Sequence, residues 1–137
     1  NNIPLEKCLE TPVAENLMIG LSMGMSLKGY KPVVFFERHD FILNALDALV
    51  NHLEKIESMS NGEFRPKVII RATVGGKTPF YPGPQHTQDF SEVLKKLINF
   101  PVYELQTPEE IIKRYKEAKD SKTSMMLIEK RDFYENE

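Results

Sequence analysis

The chain carries one cysteine, Cys8, in 137 residues. A lone thiol excludes an internal disulfide framework and a cysteine-pair metal site, and it is compatible with a reducing compartment. Neither sign of charge dominates, since 18 lysines and arginines stand against 20 acids for a net charge of -2. That balance leaves no basic footprint for nucleic acid or an anionic membrane, and neither is expected as a partner. No apolar run approaches the roughly 20 residues that a membrane-spanning helix needs, and no signal-like segment is visible. Internal repeats and low-complexity stretches are lacking as well. What is there is the composition of a globular domain, 41% hydrophobic and 28% charged. The length suffices for one core but is small for a complete cofactor enzyme. The chain starts at Asn1 rather than at a methionine, so a piece of something longer is expected.

Helical and strand-like patterns alternate. Thr11 as N-cap and Pro12 as first helical residue predict a helix over 12–28, with Val13, Leu17, Leu21 and Met25 at every fourth position and Gly29 as its end. Gly20 and Gly24 leave one face bare enough for a neighbouring element to approach. Residues 33–36 read as a buried strand. Asp40 is placed to cap a second helix carrying Phe41, Leu43, Ala45, Leu46, Leu49, Val50 and Leu53, and 58–62 reads as loop. A second strand is expected over 67–72, around Val68, Ile69 and Ile70. A glycine- and proline-rich loop follows over 74–87, of the length that usually carries function. A helix over 90–98 precedes a third strand over 102–105. Thr107, Pro108 and Glu110 form a capping-box start for a helix to Lys119, and 125–128 is a fourth strand.

Strands separated by helices imply a mostly parallel sheet covered on both faces. Ligands bind such sheets at the carboxyl ends of the strands. The loops after Phe36 and Ala72 therefore meet, bringing Glu37, Arg38, His39 and the Gln85–Gln88 segment together, with Glu15 able to face the same region. From position alone Glu15 has two readings: an acid favoured by the dipole at a helix start, or a working carboxylate.

Seven colinear pieces carry a resemblance: TPVAEN at 11–16, GYKPVV at 29–34, DFILNALDALVN at 40–51, MSNG at 59–62, QHTQ at 85–88, TPEE at 107–110 and LIEKRDFY at 127–134. In this order they resemble the pyrimidine-binding domain of the transketolase-like thiamine diphosphate enzymes. The β subunits of the decarboxylating component of 2-oxo acid dehydrogenases, pyruvate or branched-chain, are the nearest likeness. The resemblance implies a three-layer α/β fold, with a mostly parallel twisted sheet and helices on both faces. It implies that residues 1–137 are that domain within a longer β subunit.

Residue by residue, Glu15 matches the glutamate that hydrogen-bonds a ring nitrogen of the aminopyrimidine. That bond favours the imino form, whose nitrogen takes the thiazolium proton. A buried carboxyl suits such proton sharing, because desolvation favours its neutral form. Phe41 matches the aromatic that packs on the aminopyrimidine, and otherwise reads as ordinary core. His86 matches a histidine that handles protons or the substrate carboxylate, and otherwise reads as loop surface. Glu37 is expected beside the pyrimidine, where many members carry a small or apolar residue. His39 stands at a commonly apolar or aromatic position, and His52 is expected to face solvent. The loop at 75–84 departs from the family in length and composition, where substrate choice would be set.

No Gly-Asp-Gly occurs in the chain. The resemblance therefore implies that Mg2+ and the diphosphate are held by an α-like partner subunit, with no metal ligand in this chain. A second β chain in a heterotetramer and a lipoyl acyltransferase are the other partners implied. The expected activity is oxidative decarboxylation of a 2-oxo acid with acyl transfer to lipoyl. Ketol transfer of the transketolase or deoxyxylulose phosphate synthase type stays open, as does a non-catalytic homologue that pairs with an α-like subunit. A cytoplasmic location is expected, with mitochondria or another organelle not excluded.

Overall fold

The apolar runs pair into a four-stranded parallel sheet, β1 (Val33–Phe36), β2 (Ile69–Val74), β3 (Val102–Leu105) and β4 (Met125–Lys130), in the order β1-β2-β4-β3. The computed structural model describes residues 3–134. The longest pairing lies at the centre, where β2 and β4 run in register from Ile69 opposite Met125 to Val74 opposite Lys130. The α/β expectation holds.

Helices lie on both faces. Helix α1 (Glu15–Leu27), a 3-10 segment at His39–Ala45, a π segment at Ala48–Leu53 and helix α3 (Ser91–Leu97) cover one side. There Ile19, Ile42, Leu49 and Leu94 pack on Val34, Phe36, Ile70, Met126 and Ile128, and full burial contributes about 1.5–3 kcal/mol per large side chain. Helix α4 (Pro108–Asp120) covers the other side by laying Ile111, Tyr115 and Ala118 on Leu105, Met125 and Leu127. Its coverage does not reach β1, where Val33 and Phe35 stay exposed. The Arg71 guanidinium instead lies 4.4 Å from the centre of the Phe35 ring.

The capping box of α4 forms as expected. Thr107 accepts from the Glu110 N–H at 3.2 Å, while Glu110 reaches back to the Gln106 N–H at 3.1 Å, one residue before the usual partner. Gly29 ends α1 as expected, at φ +89°, with its own N–H bonded to Ser26 and that of Tyr30 to Met25.

Five expectations are corrected. Helix α1 begins at Glu15, three residues after Pro12, because the backbone at Ala14 is not helical, and Ala14 offers no capping side chain. Its buried face is Glu15, Ile19, Ser22 and Met23, whereas Val13, Leu17 and Leu21 face solvent; open space, with no approaching element, lies over Gly20 and Gly24. Asp40 caps nothing, since its Oδ1 accepts instead from the backbone N–H and the side-chain amide of Gln88. The expected second helix is broken into the 3-10 and π segments and a last turn, α2 (Ile56–Met59). Strand β2 starts later than expected, because the Lys67 and Val68 N–H groups are taken by the Ser26 and Ser124 hydroxyls, and it runs on to Val74.

The two faces of α1 give a stability test. Ile19→Ala is expected to cost about 2–5 kcal/mol in urea unfolding, and Leu21→Ala on the open face under about 1 kcal/mol. Equal losses would contradict the burial of Ile19.

Candidate functional site

Glu15 opens α1 and is 8% exposed, which places its carboxylate inside the protein at a helix N-terminus. Asn44 donates its amide Nδ2 to Glu15 Oε2 at 3.3 Å, and the other oxygen accepts no hydrogen bond among the described residues. Asn44 belongs to the 3-10 segment that also carries Phe41. With three residues per turn, positions 41 and 44 lie one above the other, so the bond to Asn44 sets Glu15 and Phe41 on a common side. The half-buried Phe41 ring then meets His86 edge-on, with ring centres 5.6 Å apart and planes at 82°. Two contacts, Glu15 with Asn44 and Phe41 with His86, thus meet on one short 3-10 segment.

His86 ends a short turn, Pro84–His86, that follows Gly83 at φ +104°. Gly75, just past the end of β2, presses on the same turn: a Cβ there would overlap the His86 carbonyl oxygen. The loops after β1 and β2 meet as the parallel sheet requires.

Glu37 stands apart. Alternation along β1 sends Val34 and Phe36 toward α1 and Val33 and Phe35 to the opposite face. Glu37 continues on that opposite side, its side chain 75% exposed and bonded to Arg38. There it lines a concavity of about 240 Å³ with Phe35, Arg71, Thr73, Arg131 and Tyr134. Arg71 is engaged by Glu129 through two bonds of 3.0 and 2.7 Å. Burial alone would raise the pKa of Glu129, but Arg71 with the Tyr134 and Tyr115 hydroxyls outweighs it and holds the carboxyl below its ordinary value.

Two contributors were missed in the sequence. Asn44 is one, because nothing local marks it as the partner of Glu15, 29 residues earlier in the chain. Glu129 is another, and its signal was an acid inside the apolar run of β4. His39, which the sequence placed among these loops, is completely buried, with Nδ1 accepting from the Phe90 N–H at 3.3 Å. Its Nε2 has no partner among the described residues. Burial lowers its pKa from the ordinary 6.5, against the opposing pull of Asp89 and Asp40. The 3.8 Å approach of Asp89 to Nδ1 is not a hydrogen bond to the neutral ring, since that nitrogen accepts from Phe90. His52, as expected, faces solvent beside Asp47.

Among the described residues no three His, Cys, Asp or Glu side chains converge to hold a metal ion, and no helix is long and apolar enough to cross a membrane. No family model matches the chain. Known proteins do. Over 85 residues it is 36% identical to the mitochondrial pyruvate dehydrogenase E1 component subunit beta of Saccharomyces cerevisiae, a match covering 62% of this chain and 23% of that protein. The chain resembles the β subunits of 2-oxo acid dehydrogenases. The 3-methyl-2-oxobutanoate dehydrogenase subunit beta of Mycobacterium tuberculosis is 35% identical over 66 residues, 48% of this chain and 19% of that protein. The chloroplastic pyruvate dehydrogenase E1 component subunit beta-4 of Oryza sativa subsp. japonica aligns more fully, 27% identical over 123 residues, 90% of this chain and 30% of the relative. The chain spans about a quarter of the length of these β subunits. Their names include mitochondrial and chloroplastic forms.

Within this β-subunit-like chain the buried His39 has a pH signature. Its folded pKa lies below the unfolded value, so as pH falls through about 6.5 the unfolded state takes up the proton first and stability drops. Between pH 7.5 and 5.5 the urea midpoint is expected to fall, and His39→Gln to flatten that fall. An unchanged slope in the variant would contradict the assignment.

Proposed function

We propose that this chain is the pyrimidine-binding part of a thiamine diphosphate-dependent 2-oxo acid dehydrogenase component. The observation that carries the reading is Glu15: a buried carboxylate at a helix start, one oxygen fixed by Asn44 and the other free, tied to the 3-10 segment whose Phe41 ring meets His86. An aminopyrimidine suits these groups. Its ring nitrogen would meet the free carboxylate oxygen, and its face would find the Phe41 ring.

When bound, thiamine diphosphate would supply a carbon nucleophile and an electron sink for decarboxylation of a 2-oxo acid. The chain's own residues have simpler tasks. Glu15 shares a proton with the pyrimidine nitrogen, and its burial keeps water from competing for that bond. Phe41 fixes the ring plane. His86, held against Phe41, offers an imidazole that can move a proton or meet the substrate carboxylate. Glu37 lies on the far side of β1, and we assign it no more than an influence on the cofactor's surroundings.

Mg2+ and the diphosphate require oxygen ligands of the acidic kind, and among the described residues no such group converges. We therefore assign them to an α-like partner subunit in a heterotetramer with a second β chain, with a lipoyl acyltransferase as acyl acceptor. The names of the relatives favour decarboxylation of pyruvate or a branched 2-oxo acid over ketol transfer. Retention of Glu15 speaks against a non-catalytic homologue.

Co-expression with a subunit carrying the magnesium-diphosphate motif is expected to give thiamine-dependent CO2 release from 2-oxo acids. Glu15→Gln should lower turnover about 100-fold or more, with assembly by gel filtration intact. Turnover at the parent level in the variant would overturn the role of Glu15. Alone, the chain should bind thiamine diphosphate weakly in calorimetry, and tight binding would refute the shared site.

A further inference from the structure

Three consecutive residues after β1 grip three positions of the segment that bears His86. Phe41 packs against His86; Asp40 Oδ1 accepts from the Gln88 N–H at 3.3 Å and from Gln88 Nε2 at 2.9 Å; His39 Nδ1 accepts from the Phe90 N–H at 3.3 Å. As the chain advances from 39 to 41, its partners retreat from 90 to 86 in steps of two. The two segments therefore run antiparallel, joined through side chains rather than a backbone ladder. His39 and Asp40 are both buried, so water does not compete for these bonds. From the other side Gly75 closes on the His86 carbonyl.

We infer that His39 and Asp40 are positioning residues for His86: they clamp residues 88–90 and so hold the His86 imidazole on the Phe41 edge. The inference rests on the reading of His86 as a site residue only for its catalytic consequence; the clamp itself is independent of it. Neither residue reaches the proposed cofactor site directly. Asp40 acts through Gln88, and His39 through the backbone at Phe90. The geometry also explains why a histidine suits a fully buried position here. A neutral imidazole presents an acceptor at Nδ1, which an apolar side chain lacks, and the Phe90 N–H takes it.

The test compares Asp40→Ala with Asp40→Asn in the full 137-residue chain. Asparagine keeps an acceptor oxygen for both Gln88 donors, and alanine removes it. In the parent chain, NMR should show nuclear Overhauser contacts between the His86 and Phe41 rings and a protected Gln88 amide. Asp40→Ala should lose the ring contacts and speed Gln88 exchange about tenfold or more, the loss of one hydrogen bond to a charged acceptor. Asp40→Asn should restore both, while core resonances such as those of Ile19 and Leu127 stay in place. Ring contacts and protection that survive Asp40→Ala would overturn the clamp. Should that variant fail to fold, Gln88→Ala removes only the side-chain half of the grip; weaker His86 to Phe41 contacts support the clamp, and unchanged ones overturn it.

A kinetic arm in the assembled complex separates the clamp from the proposed function. Asp40→Ala and His86→Ala should lower kcat by similar factors with little change in KM, and the double variant should lose no more than His86→Ala alone. Additive losses would overturn the positioning role. A parent complex with no activity on any 2-oxo acid would instead sink the proposed function, leaving the NMR outcome to decide the clamp.

Discussion

The pairing of β2 with β4 is the constraint on which the rest of the structure depends. These two strands lie at the centre of the sheet and share a six-residue parallel register. Ile70, Ala72, Leu127 and Ile128 are fully buried along them. Because the register is parallel, both strands deliver their carboxyl ends to the same edge, and β1 joins them there through its pairing with β2. A slip by one residue would turn the faces of β2 over, sending Ile70 toward α4 and Arg71 into the larger core. The register also places Thr73 opposite Glu129, within one step of Arg71, so the buried carboxylate finds its guanidinium.

From that edge the proposed site follows by short steps. Two residues separate Phe36 from the 3-10 segment, which carries both Phe41 and Asn44. Asn44 then ties the segment to Glu15 on α1. Val74 leads into a loop whose Gly75 closes against His86. No single element holds the site. It exists where two loops and one helix start are brought to the same edge, which is why each side chain has an ordinary reading in isolation and a chemical one only in company.

Much of this was legible in the sequence. The strands were marked by short apolar β-rich runs, and the cap of α4 by Thr107 and Glu110, because those signals are local. The buried face of α1 was not legible. Its two apolar stripes, Leu17 with Leu21 and Ile19 with Met23, are both hydrophobic, and only packing against β1 and the 3-10 and π segments decides between them. The 3-10 and π geometry after His39 was hidden as well, since an apolar helical period does not distinguish three residues per turn from 3.6. Asp40 was read as a cap because its type and place fit one, while its true partner, Gln88, lies 48 residues on. The colinear segments reached Glu15, Phe41 and His86 by resemblance, and the contacts that join them came from the fold.

The central claim is that Glu15 acts on a cofactor whose other end is held by a different subunit. Hydrogen–deuterium exchange at the thiazolium carbon, followed by NMR in the assembled complex without substrate, tests it most directly. The account predicts exchange much faster than in free thiamine diphosphate, falling toward the free rate in Glu15→Gln while the cofactor stays bound. Exchange as fast in the variant as in the parent complex would contradict it.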